Sequence, residues 1–513
     1  MTPTFGWSLE LVRSGRIAAP LAALLLVPAL MVPSAALAAY DPATDMNSMY
    51  NTTLYTGARA WWAAGYTGAG VDVAVIDTGV SPVEGLATPG KIINGPDLSL
   101  ESQNPAFRYL DTNGHGTFMA GLIAGHDTNL TAPYALAAPS TYTGIAPDAR
   151  IVNVKVGVAD GGVDVSQVIA AIDWVVQHRT DDGLNIRVIN LSYGTNSTQA
   201  YGVDPLSYAV EQAWKAGIFV VAATGNDGYV FHTGTLTNPA YDPKIFAVGA
   251  SDSMGTATID DDRVPAFSST GSNARTPDVL APGTHIVSLR VPGSYIDQTY
   301  GSTGFVSDRF FRGSGTSEAA AFISGAAALA IEQRPSITPD RLKKLFLDNS
   351  RLLNGYSALK QGAGEVELAT MLGAPASNIP KAWSRIAWST GTGTLEGARG
   401  DEHLTRDGVV LSGEQDIFGA AFNSAEMATA EAAGNSWSGG TWNGNSWSGD
   451  SWSGNSWSGS SWSGSSWSGN SWSGSSWSGN SWSGNSWSGS SWSGSSWSGS
   501  SWSGNSWSTG SWD

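Results

Sequence analysis

The chain has no cysteine. That excludes zinc–thiolate centres, thiol peptidases and disulfide scaffolds, and leaves stability to core burial, which 513 residues can supply. Positive charge is scarce: 26 Lys and Arg stand against 43 Asp and Glu, a formal net charge of −17. Without a basic patch, no nucleic-acid partner and no electrostatic docking on anionic lipid are expected. Long apolar runs are lacking too, except near the N-terminus. There Arg13 and Arg16 precede the apolar stretch 17–32, followed by Ala36-Leu37-Ala38. A positive flank, a short apolar core and small residues at a processing site read as a signal peptide over residues 1–39. The stretch is too short, and too interrupted by Pro20 and Pro28, for an anchor. The expected product is secreted, extracellular or cell-surface associated, with no membrane span after signal removal.

Residues 40–55 form a short N-terminal segment, too small for an independently folded inhibitory domain. From 56 to 372, nearly continuous apolar runs bounded by Gly or Asp alternate with small-residue helical patterns. Strands are predicted at Val71–Ile76, Ile151–Val156, Val188–Ser192, Ile218–Ala223 and Ile245–Gly249, and helices at Ser166–His178 and Ser207–Ala216. This alternation predicts an α/β domain: a mostly parallel sheet flanked by helices in three layers, with functional groups at the carboxyl ends of the strands. Residues 373–434, with Trp383, Trp388 and His403, read as a linker or small accessory region. Residues 435–513 are a low-complexity Trp/Ser/Gly tail that repeats an Asn/Ser-Ser-Trp-Ser-Gly unit. Trp recurs at every fifth position from Trp437 to Trp512, taking 16 of the 23 tryptophans. Such a tail is either a coiled repeat using both strand faces or a flexible chain, and its composition favours the flexible chain. Regularly spaced aromatics offer stacking surfaces, so contact with cell-wall polymer or carbohydrate is an expectation.

Four polar residues sit where an apolar run ends or a helix begins, each with glycine nearby. Asp77 closes Val73-Ala74-Val75-Ile76-Asp77-Thr78-Gly79. His115 lies in Asn113-Gly114-His115-Gly116-Thr117, before a helical stretch whose positive end disfavours the charged imidazole and suits a base working near neutral pH. Asn226 follows Ala223-Thr224-Gly225 and could donate to an oxyanion. Ser317 stands in Gly315-Thr316-Ser317-Glu318-Ala319 at the head of an Ala-rich helix. Singly, each has an ordinary structural explanation: a turn Asp, a structural histidine, a turn Asn, a helix N-cap. Together, in the chain order Asp, His, Ser, they point to a nucleophilic triad with an oxyanion donor.

These motifs resemble the subtilisin-like serine peptidases, the subtilase family. The matching text runs from Trp62-Ala63-Ala64-Gly65-Tyr66-Thr67-Gly68 through the Asp77 and His115 motifs to Gly144-Ile145-Ala146-Pro147-Asp148-Ala149. It continues with Asn190-Leu191-Ser192-Tyr193-Gly194, Ala223–Gly228, Phe267–Gly271, Leu280–Gly283 and the Ser317 motif, so that it covers roughly 56–372. The resemblance implies a secreted serine endopeptidase working through an acyl-enzyme, with Asp77, His115 and Ser317 as triad and Asn226 in the oxyanion hole. It also implies that Ser192, Tyr193 and Gly194 pair with the substrate as an added strand. Ala223, Thr224 and Gly225 would line the pocket for the residue before the scissile bond, expected to be a medium-to-large apolar side chain. Partners are then protein or peptide substrates. No cofactor is expected from the residues. Calcium is frequent in the family, but no ligands are assignable and no metal residues are named.

Two positions depart from the family's usual text: Glu318 where methionine is usual, and Ala321 where proline is usual. A carboxylate at 318 facing the cleft would raise the pKa of His115. Two other readings keep part of the pattern. An inactive surface-binding protein would not need every triad position. An α/β-hydrolase esterase would need G-x-S-x-G and its histidine after the serine, whereas here His115 precedes Ser317.

Overall fold

The structure is a computed structural model that describes residues 40–433, apart from 105, 229–235, 407–408 and 418–420, together with strands between 446 and 512. The predicted signal peptide lies outside the described residues. Eleven strands, β1 to β11, fall within 40–433, not counting the short pair Thr405–Arg406 and Val409–Val410. In chain order they are β1 Asp72–Asp77, β2 Ile92–Asp97, β3 Arg150–Lys155, β4 Ile186–Leu191, β5 Phe219–Ala223 and β6 Phe246–Ser251. Then come β7 Val279–Pro282, β8 Ile286–Leu289, β9 Phe310–Gly313, β10 Ser350–Arg351 and β11 Glu365–Val366. All but β8 and β9 make one sheet, ordered β10-β11-β7-β6-β5-β4-β1-β3-β2, while β8 and β9 pair antiparallel beside it. Every pairing in the large sheet is parallel except β10 with β11.

The five predicted strands and both helices are present within one or two residues of their expected ends, because fully buried apolar runs leave little freedom in where a central strand sits. Strand β2 was not foreseen. Gly95 and Pro96 interrupt its apolar pattern, and its pairing with β3 shifts register there. The sheet's order places β1 between β3 and β4, so the chain leaves β1 toward one edge and later returns to build the other. Crevices form at such a reversal, outside the carboxyl ends of the strands.

The helix Thr316–Gln333 is buried from Thr316 to Ile331 against the sheet. Its alanines let it pack closely, and Gly325 allows the closest approach: a Cβ there would lie 3.0 Å from the Ile123 carbonyl oxygen and 2.7 Å from Ile145 Cβ. Ile123 belongs to the helix His115–Ala124. Two helices that begin with candidate catalytic residues are therefore packed against each other.

Residues 374–433 are docked on the domain. Leu395, Ala398, Phe422 and Met427 join its apolar core, and the fully buried Arg399 pairs with buried Asp164 (Nε–Oδ2 2.6 Å), the cap of helix Val165–His178.

In the tail, strands including Ser451–Ser458, Ser466–Ser473, Ser476–Ser488, Ser491–Ser503 and Ser506–Trp512 run parallel. The Cα of Trp452 is opposite that of Trp467, and in turn Trp482, Trp497 and Trp512. The step is three repeat units, so tryptophan stands opposite tryptophan at each step. This is the coiled alternative, where composition alone favoured the flexible chain; the in-register ladder supplies the backbone hydrogen bonds that a Gly/Ser chain otherwise gives to water.

Candidate active site

Asp77 ends β1, and its buried carboxylate has donors on several sides. The Thr78 N–H donates to Oδ1 at 2.8 Å, and His115 Nδ1 lies 2.8 Å from Oδ1 and 3.0 Å from Oδ2. Because a carboxylate only accepts, Nδ1 carries the proton and Nε2 is left as the basic nitrogen. Gly116 makes this pairing possible. A Cβ at 116 would stand 2.2 Å from the Gly79 carbonyl oxygen, so only glycine lets the helix start lie against the turn after β1.

Asp111, not singled out from the sequence, builds the floor of this arrangement. Its buried carboxylate accepts from the Gly114 and Thr117 N–H groups, each at 2.7 Å, and from the Thr78 hydroxyl at 2.8 Å. Thr78 Oγ1 in turn accepts from the Gly116 N–H at 3.0 Å. The histidine helix and the Asp77 turn are thus tied through one carboxylate. An acidic residue a few positions before a helix start was the available signal.

Burial works against charge on His115, but the Asp77 carboxylate and its hydrogen bond, then Glu318 and Asp111, outweigh it and raise the imidazole pKa to about 9. The helix end was expected to keep the ring near neutral. Three nearby carboxyls overrule it. Burial raises the Glu318 pKa, opposed chiefly by the His115 cation. Both residues bound an apolar cavity of about 70 Å³ walled by Phe118, Leu289 and Phe311.

Ser317 is the second residue of its helix and bounds a different, more polar cavity of about 180 Å³. Ser192, Tyr193, Gly194, Ala223, Gly225 and Asn226 lie on the same walls. Thr224, expected there, is fully buried and does not line it. Asn226 Oδ1 accepts from the Thr316 N–H at 2.9 Å and hydroxyl at 3.1 Å. That fixes the amide's orientation and leaves Nδ2 as its donor. The Ser192 hydroxyl donates to the Ser317 carbonyl at 3.2 Å, joining the end of β4 to the serine helix. Among the described residues, no hydrogen bond joins His115 to the Ser317 hydroxyl. Such contacts are often loose before substrate binds and tighten in the complex.

No group of three or more His, Asp or Glu side chains among the described residues converges as metal ligands, so calcium is given no site. Among the described residues, no helix is long and apolar enough to cross a membrane.

The chain is similar to Serine protease AprX of Bacillus subtilis, with 37% identity over 306 residues, 58% of this chain and 65% of the relative. Subtilisin DY of Bacillus licheniformis is 32% identical over 308 residues, 60% of this chain and 93% of its own length. Subtilisin E of Bacillus subtilis is 34% identical over 300 residues, 57% of this chain and 65% of the relative. The chain thus spans slightly under two thirds of the length of the first and third of these. A family profile matches residues 68–365, from the turn before β1 to the start of β11, and with this match the chain belongs to the subtilase family.

Proposed function

We propose that the chain is a secreted serine endopeptidase that cleaves peptide bonds through an acyl-enzyme. The observation that carries this reading is the Asp77–His115 pair, held in the same domain as a helix-start serine and an oriented amide that share one cavity. In the proposed reaction, His115 Nε2 takes the Ser317 proton as Oγ attacks the substrate carbonyl. Asp77 orients the ring and supports the imidazolium. Asn226 Nδ2 and the Ser317 N–H receive the oxyanion, where charge develops and where fixed donors gain most. His115 then gives its proton to the leaving amine, and water, deprotonated by the same ring, releases the acyl group. Ser192, Tyr193 and Gly194 hold the substrate main chain as an added strand, a mode that demands little of its sequence.

The export signal supports secretion, and the ladder of tail tryptophans supports contact with carbohydrate or cell-wall polymer. One experiment tests the core of the reading. A denatured protein is digested with the full chain and with Ser317→Ala, and the cut sites are mapped by mass spectrometry. Cuts by the first and none by the second are expected; equal cutting would refute it.

A further inference from the structure

The cavity beside Ser317 has one wall from outside the matched family region. Glu402 lines it together with Asp227, Asn226 and Ser317. No Lys or Arg is among its lining residues, so the two carboxylates face an otherwise uncharged surface.

Glu402 is held in place by buried structure. Its N–H donates to the Arg399 carbonyl at 3.1 Å, and Arg399 is locked by Asp164 and by the carbonyls of Gly413 and Gln415. Just before it, the Thr195 hydroxyl donates to the Ala398 carbonyl at 2.5 Å and the Ser197 hydroxyl to the Gly397 carbonyl at 2.9 Å. The segment 397–402 therefore rides on the loop that leaves Ser192-Tyr193-Gly194, the proposed substrate-pairing residues. Partial burial raises the Glu402 pKa, with the neighbouring Asp401 and Asp227 adding to it and His403 opposing. Asp227 and Glu402 are thus close enough to feel each other's charge across the cavity. Two like charges at one opening are unfavourable until a cation enters between them.

We infer that Glu402 and Asp227 make this the pocket for a cationic side chain, lysine or arginine, immediately before the scissile bond. The inference rests on the peptidase reading above, because it needs Ser317 and Asn226 to mark which side of the bond the cavity serves. An aliphatic stem can lie along Ala223 and Gly225 while the charged head reaches the carboxylates at the rim. The apolar preference implied by Ala223-Thr224-Gly225 gives way because Glu402 arrives from a segment that the family pattern does not contain.

The test uses the full chain and two chromogenic peptides that differ only in lysine or leucine before the cleaved bond. The wild type is expected to favour lysine in kcat/KM. Glu402→Gln and Asp227→Asn should each cut the lysine-to-leucine ratio by roughly tenfold. Added salt should lower the wild-type ratio, since the carboxylates are partly exposed. Equal use of both peptides by the wild type, or a ratio unmoved in both variants, would overturn the inference while leaving the peptidase reading intact. No hydrolysis of either peptide, or of a denatured protein, would overturn both.

Discussion

Glu318 and the His115 imidazole bound one apolar cavity, and the carboxylate helps hold the imidazolium well above its ordinary pKa. The residue after the proposed nucleophile thereby bears on the proposed base. With a His115 pKa of about 9, the neutral base is a minor species at pH 7. The acid limb of kcat/KM is expected to rise through the region of pH 9. In Glu318→Gln an attraction felt only by the imidazolium is gone, so the pKa falls and the limb moves to lower pH, by roughly half a unit to one unit. A rate profile on a neutral peptide checks this. An unmoved limb would mean that the carboxyl does not reach the ring.

The oriented amide makes a second expectation. Asn226→Ala should lower kcat by roughly 10²–10³-fold, about 2.7–4 kcal/mol of transition-state stabilisation, with KM changed much less. The comparison is made on protein whose thermal unfolding matches the wild type. A matching loss in substrate affinity instead would assign Asn226 to binding.

Arg399 and Asp164 form an ion pair with both side chains essentially shut from water. Removing one partner strands the other charge, so Arg399→Met should destabilise the fold by about 3–5 kcal/mol. Urea unfolding measures this directly. Because Arg399 anchors Glu402, the same variant should also lose discrimination between lysine and leucine peptides.

The tail is expected to act apart from the chemistry. A chain lacking 435–513 should be released from insoluble cell-wall polysaccharide to which the full chain adheres, while it cleaves a soluble peptide at a similar rate. Sedimentation with the polymer, followed by assay of both fractions, distinguishes the outcomes. Retention of the shortened chain would place adhesion elsewhere.

The proposed triad could be picked out of the sequence because each candidate is embedded in a short glycine-bearing motif whose local geometry is set by neighbours. Gly116 beside His115 and the apolar run ending at Asp77 are such local statements. The central strands were legible for a similar reason, since burial on both faces writes an unbroken apolar run. Strand β2 escaped because Gly95-Pro96 breaks that run, and neighbouring β3 supplies its pairing. The base's elevated pKa was only half visible. Glu318 is adjacent to Ser317 in the chain, but its approach to His115 is a fact of packing between two helices.

What the sequence by itself determined is the domain's class, the family text that runs through it and the period of its tail, all carried by patterns a few residues long. Tertiary structure alone decided which charges meet. Asp164 and Arg399 lie 235 positions apart, and Glu402 reaches the Ser317 cavity from beyond the family's segment. Coulomb and desolvation energies depend on distance through space and on burial, and neither quantity is written in the spacing along the chain.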